Sequence, residues 1–562
     1  MSKEKGTPKV GRAEKLLQIL AKRKWVVCIF VLLIGFVCLF KLGSKQLYLD
    51  HCVEFALYPA INKVFDGFTR VGEVTWMWTP MYQHAAGASP VYTGIMEFGM
   101  RTFGLTLFGI RIFIALIFLL IYVVLFYTVS KYQSKVMAVL ITILTLLSPW
   151  GLVMLRSGGI VALGIALTVL AICLCALMFL PEDKQPKNKI VRNIIPIGAG
   201  VCTAILPYCH AGTRMFPIVI ILFALIFIKK LGMRKAFQFF VPVLLIVGIQ
   251  LLDVENAMKM YFNARGENLL DVAKAQSPND IWAFALPKLG ENIQLVFKYL
   301  FGLNQEKVFF DVNLADSYWN INTVFFPKFL VPFFWGGIIL HIVYLFKKKK
   351  ALYLVPILLI GISFIPGLMS GIGNPNLARM AVSLPFIYYF IAYSFYQLFI
   401  LMDKGWDKAG KKVGVPIATI LLSMVVFTTG YQIHNYYSYE KGTLDDKRIF
   451  SPVIVEESFN AWEVNEDLTV VYQDFAVFGV HSYGAFRMMG GEALQEKIDE
   501  GRLILLQPEN QSKIAEMIRN GEVDVFITAQ DDLTINLFPE LAGYIRTVLV
   551  PPEYVRYVRP SL

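Results

Sequence analysis

Charge is scarce in this chain. Of 562 residues only 17% are Asp, Glu, Lys or Arg, against 56% hydrophobic and 14% aromatic. Soluble proteins carry about 25% charged residues, so the composition excludes an ordinary water-soluble chain and points to a polytopic membrane protein. Cysteine is also sparse. Most of the seven (Cys28, Cys38, Cys52, Cys173, Cys175, Cys202 and Cys209) fall inside apolar runs, where a thiol behaves as a small hydrophobe. None follows residue 209, which removes a disulfide framework or a zinc cluster from the C-terminal part. No GxxxxGK[ST] loop, HExxH or strand-following GxGxxG is present. The apolar runs hold no Asp or Glu, Glu97 lying just ahead of the second, which weighs against a proton-coupled transporter. The first run lies behind 24 mostly polar residues and has no small-residue cleavage site, so it reads as an anchor and not a signal peptide.

What is present is a series of apolar runs, at roughly 25–42, 106–129, 136–154, 159–180, 194–210, 215–230, 236–252, 328–346, 351–370, 380–402 and 413–433. Each is about long enough to cross a ~30 Å hydrocarbon layer as a helix, which gives eleven spans. Loop charge tests the count. Eight Lys and Arg precede Trp25, placing the N-terminus in the cytoplasm. The loops that then face inward, 130–135, 181–192, 229–235, 347–350 and 403–412, carry 2, 4, 4, 4 and 4 basic residues. The short loops that face outward carry one each: Arg156, Arg214 and Arg379. The alternation has no exception. Residues 1–433 have a net charge of +22, and the rest −10. The basic excess sits in short loops, so it reads as membrane orientation and not as nucleic-acid binding.

Three regions follow. Residues 1–24 hold an amphipathic cytoplasmic segment, with Leu16, Leu17 and Leu20 on one face among basic residues, suited to an anionic leaflet. Residues 25–433 form the membrane part, with long outer loops at 43–105 and 253–327. The second loop has nine acids, and its LGENIQLVFKYLFG predicts a helix grazing the membrane. Residues 434–562 read as a small extracytoplasmic α/β domain. Its strands are 467–472, 502–506, 523–528 and 545–550, with a helix at SKIAEMIRN.

Candidate chemistry gathers at the outer face. Asp50 and Glu54 follow the first span almost at once and, four apart, would share one helical face. Glu73, an aromatic cluster, His84 and the proline-marked entry at Tyr92 come next. Such acids are equally what a solvated loop carries. A lone Arg at a span boundary is commonly a snorkelling anchor, yet Arg156, Arg214 and Arg379 all fall outside, against the positive-inside bias. The planar guanidinium suits a phosphate, and His210, four residues before Arg214, would join it on a helical face. Carboxylates with arginines suggest transfer from a phosphate-linked lipid, the acid deprotonating an acceptor and arginine stabilising the departing phosphate. No cofactor is indicated. The acidic loop could hold a divalent cation, but no ligand spacing identifies one.

The layout resembles the GT-C superfamily of integral-membrane glycosyltransferases, nearest to bacterial relatives of protein O-mannosyltransferases and aminoarabinose transferases. The resemblance rests on the acid after the first span (Asp50 in LYLDHCVEF), the entry ASPVYTGIMEFG, and FGLTLFGIRI, with Arg111 as the family's arginine. It covers 25–433 as architecture and a few dozen positions as motif. It implies a polyprenyl-phosphate sugar donor, an extracytoplasmic acceptor (cell-surface glycan, lipid or protein) and Asp50 as base. Two positions depart from the pattern: His51 follows Asp50, and Ser157 follows Arg156. Two other classes fit the composition, a flippase or transporter of lipid-linked glycans and a non-catalytic assembly protein. The topology itself is testable: an impermeant thiol label on intact cells should reach single cysteines placed after His434 but not in 347–350. A protected tail would refute both the span count and the proposed face.

Overall fold

The computed structural model describes residues 11–43, 90–104, 106–157, 160–209, 211–250, 269–303, 325–350, 353–371, 375, 377–442, 462–464, 467–473, 494–506, 510–528, 531–550 and 554–560. Each of the eleven apolar runs carries a helix. In order the helices are α1 (Arg12–Lys22), α2 (Lys24–Leu39), α3 (Pro90–Phe103), α4 (Leu107–Tyr132), α5 (Lys135–Leu146), α6 (Pro149–Ser157), α7 (Ile160–Met178) and α8 (Lys189–Ile205). Then come α9 (Met215–Ile226), α10 (Met233–Gln250), α11 (Leu269–Gln276), α12 (Ile281–Leu300), α13 (Val331–Lys348), α14 (Val355–Leu368), α15 (Leu384–Ala409) and α16 (Lys411–Gly442). Several begin at side-chain caps: Thr106 accepts from the Gly109 amide, Ser134 from Met137 and Asp280 from Ala283.

Length separates these helices. Among the described residues five stretches are long and apolar enough to cross a membrane: Phe108–Tyr132, Val161–Met178, Lys328–Lys348, Ala381–Trp406 and Val413–His434. The run at 136–154 is two helices bent by 66°, at a break where Pro149 opens α6; counted as one span it makes six. Cys28–Leu39, Met215–Ile226 and Val355–Leu368 are apolar but shorter. At 1.5 Å per residue, a helix of twelve residues covers about 18 Å. Length and composition alone therefore give this multi-pass protein five or six spans, where the apolar runs count eleven.

The charge alternation has a structural counterpart. The backbone N–H of Arg12 donates to the Asp403 carboxylate at 3.2 and 3.1 Å, and Arg12 Nη1 to the Asp403 carbonyl. Glu14 accepts from the amides of Lys135 and Val136, capping α5 with the negative charge its N-terminus favours. The turns at 130–135 and 403–412 thus share one end of the bundle with α1. Lys235 Nζ reaches the Met178 carbonyl at 2.9 Å, joining two more basic turns.

Among the described residues, each long loop carries helix. α3 lies back to back with α4 because Gly99 and Gly109 have no side chains; a Cβ on Gly99 would meet the Gly109 carbonyl. The predicted helix in the second loop is α12, which packs with α11. Asn292 Nδ2 donates to the carbonyls of Leu368 and Ser370, both at 2.9 Å, and the Leu269 amide to Met369 at 2.8 Å. Three carbonyls at the end of α14 are thereby satisfied from the loop.

The tail holds a five-stranded sheet of β1 (Val470–Gln473), β2 (Leu503–Leu505), β3 (Val525–Thr528), β4 (Ile545–Val550) and β5 (Tyr554–Val558), ordered β2-β1-β3-β5-β4. The first three are parallel and the last two antiparallel. Four strands and the helix Gln511–Arg519 match the sequence expectation; β5, just after Pro551-Pro552, was not anticipated. One face (Val471, Phe526, Tyr557) packs on that helix, and the other (Val470, Tyr472, Ile527) joins the core cluster of the bundle.

Asn292 is fully buried. Asn292→Ala leaves two carbonyls without their donor and should cost about 1–3 kcal/mol. Thermal unfolding in detergent, with limited proteolysis between 250 and 330, reads the loss.

Candidate functional site

Helix ends set the geometry. The last carbonyls of α2 have no partner within their own helix, and each described one is met from elsewhere. Tyr437 Oη donates to Val37 at 2.7 Å. Arg156 Nη1 donates to Cys38 at 3.2 Å and Phe40 at 2.6 Å, while the Leu42 amide closes on Leu39. Arg111 Nη1 donates to Leu42 at 3.0 Å. Between these contacts Lys41 adopts left-handed backbone, φ +54°, in the position after a helix where glycine is usual. A non-glycine residue there costs about 1–2 kcal/mol, offset by the fixed carbonyls on either side. Arg156 and Arg111 are both fully buried. Arg156 also donates Nε to Tyr436 Oη at 2.8 Å and lies over the rings of Tyr436 and Tyr437, 5.5 and 5.3 Å from their centres. Two arginines and two tyrosines thus secure the point from which the first long loop departs.

A second junction lies between α8 and α9. Leu206–Tyr208 and Ala211–Thr213 form short turns, the latter held by Thr213 Oγ1 donating to Leu206. Gly212 abuts Arg379; a Cβ there would meet the Arg379 carbonyl. Arg379 sits in the single turn Leu377–Met380 ahead of α15, and Arg214 directly follows Thr213. Of the three arginines expected to meet a phosphate, Arg214 and Arg379 thus lie on two backbone segments that pack together from 165 positions apart, and both are half-buried. Ser383 in the adjoining turn is fully buried, and its Oγ has no hydrogen-bond partner among the described residues.

The remaining sequence candidates divide plainly. Asp50, Glu54, Glu73, His84 and His210 lie outside the described residues. Tyr92 is fully buried in α3. Arg156 belongs to the capping cluster at the end of α2. Tyr436, Tyr437 and Ser383 were missed. A tyrosine pair at the end of a final span reads as an interfacial aromatic belt, and nothing local signals that one ring covers a distant guanidinium. Among the described residues no three His, Cys, Asp or Glu side chains gather as a metal site.

No protein-family model matches this chain, and no curated protein sequence does. Solved structures do. ArnT from Cupriavidus metallidurans in the apo state superposes with a TM-score of 0.52 at 11% identity, over 96% of this chain and 98% of that one. ArnT from the same organism bound to undecaprenyl phosphate gives 0.51 at 12%, over 95% and 98%. The apo Archaeoglobus fulgidus oligosaccharyltransferase gives 0.52 at 12%, over 94% of this chain and 74% of that one. At such identities the likeness is one of fold. That likeness runs along nearly the whole chain.

Proposed function

We propose that this protein is a membrane glycosyltransferase that moves a sugar from a polyprenyl-phosphate donor to an acceptor on the outer face of the cell membrane. The observation that carries the reading is that the main chain of Arg379 abuts Gly212, two residues before Arg214, at a junction where both arginines are half-buried. The ArnT fold in its undecaprenyl-phosphate complex supports the choice of donor class. Two guanidiniums from separate segments suit a lipid phosphate, one edge to each pair of oxygens. The buried Ser383 hydroxyl adds a neutral donor beside them, and His210 precedes Arg214 by four positions.

The step is a single displacement with inversion. A loop-one carboxylate takes the proton from an acceptor hydroxyl or amine, the acceptor atom bonds to the anomeric carbon, and the bond from that carbon to the phosphate oxygen breaks. The negative charge that develops on the leaving phosphate is met by arginine. Asp50 is the base of choice because it follows Gly43 by seven positions. Seven residues reach at most about 25 Å, so the clamped end of α2 bounds where it can be. Glu54 is its rival; Glu73, His84 and Tyr92 belong to the acceptor side. The N-terminus is then cytoplasmic and the C-terminal domain extracytoplasmic.

Transfer by purified protein from a polyprenyl-phosphate sugar tests the reading. Asp50→Asn should lower turnover by about 10²–10⁴, while Glu54→Gln stays near wild type; the reverse result moves the role to Glu54, and full activity in both removes the site. Arg214→Lys and Arg379→Lys keep the charge but lose the fork, at about 1.5–3 kcal/mol each in donor or transition-state binding. Wild-type transfer by both would place the phosphate elsewhere.

A further inference from the structure

A buried arginine carries a desolvation penalty of several kcal/mol, so its neighbours have to be worth more than a single contact. Arg156 is held by three chain segments at once: the exit of α2 through Cys38 and Phe40, its own helix α6, and the last helix α16 through Tyr436 and Tyr437. Tyr437 repeats the link without it, donating to Val37. The exit of α2 leads directly into loop one. α16 leads directly into the C-terminal domain, with Gly442 as its last residue. The left-handed Lys41 sits inside the same cluster, a backbone state that persists only where its surroundings over-determine it.

We propose that Arg156, with Tyr436 and Tyr437, is a positioning node that fixes where loop one leaves the bundle and ties that point to the root of the C-terminal domain. The guanidinium suits the task because one planar fork serves two carbonyls and a phenol together, which an ammonium does not do at fixed angles. In this arrangement Arg156 acts on the chemistry through loop one and does not touch the donor. A strain or a bound acceptor that shifts α16 is transmitted to the loop-one carboxylates through two side chains. The catalytic half of this inference rests on the glycosyltransferase reading; the structural half does not.

Cys52 lies in loop one and reports on it. Among the described residues Cys38, Cys173, Cys175 and Cys209 are buried, Cys202 is half-buried, and Cys28 lies exposed on the apolar helix α2. A water-soluble maleimide on the full chain in nanodiscs, with Cys52→Ser as background, therefore reads loop one. Arg156→Lys should speed Cys52 labelling by about threefold or more as the exit loosens. It should lower kcat by about 10–100-fold, as misplacement of a reacting group does, and leave the donor KM within about twofold. Tyr437→Phe keeps the ring over the guanidinium, removes the bond to Val37 and should move both readouts the same way by less; it decides the matter if the Arg156 variant does not fold. Wild-type labelling in a folded variant overturns the node, as does a raised donor KM at unchanged kcat, which would put Arg156 in the donor site. Should the wild type transfer from no lipid-phosphate donor, the functional reading falls and labelling alone judges the node.

Discussion

A backbone carbonyl inside an apolar bundle has no water to turn to, and leaving it unmet costs several kcal/mol. The helices of this protein end inside or at the edge of such a bundle, so the partners of their last carbonyls decide which distant segments come together. α2 ends on Arg156, Arg111 and Tyr437. α14 ends on Asn292 and the Leu269 amide. In each case the capping group comes from another part of the chain, and each end lies next to a long loop. The first loop is thus anchored at its root and the second along its own helices α11 and α12, by hydrogen bonds that the helix ends require.

The same rule acts at the other end with the opposite sign. There amides are the unmet groups, and the Glu14 carboxylate meets those of α5 while Asp403 meets that of Arg12. Acids cap starts and cations cap ends, as the helix dipole favours. The N-terminal helix becomes part of the bundle by this means and keeps Leu16, Ile19 and Leu20 exposed. An apolar face left open on a helix joined at once to a span is suited to the lipid beside it.

How much of this was legible depends on how local the signal is. Apolar runs announce helices because burial in lipid or core depends on composition, and all eleven hold one. Four of the five strands in the tail were readable as well, since alternation of Val470, Val471 and Tyr472 between two faces is a property of four or five neighbours. The bend before α6 was marked by Pro149, yet the run read as one span because apolarity continues across it. Partners at long range left no trace. Asn292 resembles any polar residue in an amphipathic loop helix, and its bonds to residues 76 and 78 positions away are invisible locally. Gly99 and Gly109 looked like ordinary glycines until their helices were packed. Of the candidate site, the sequence singled out Arg214 and Arg379 from charge alone, by their breach of the positive-inside bias, but held no information on which would meet.

Arg156 breached that bias too, and burial is what separates it from the others. A fully buried cation is stable only when dipoles saturate it; here carbonyls and phenols do so, one at 2.6 Å. For such a group to receive a mobile phosphate, at least one of those bonds would have to break, exposing a carbonyl at the end of α2 that has no other donor among the described residues. The cost falls on the fold, at about 1–3 kcal/mol for each carbonyl left bare. Burial thus commits Arg156 to the end of α2, where its partners are backbone and phenol oxygens of the chain itself.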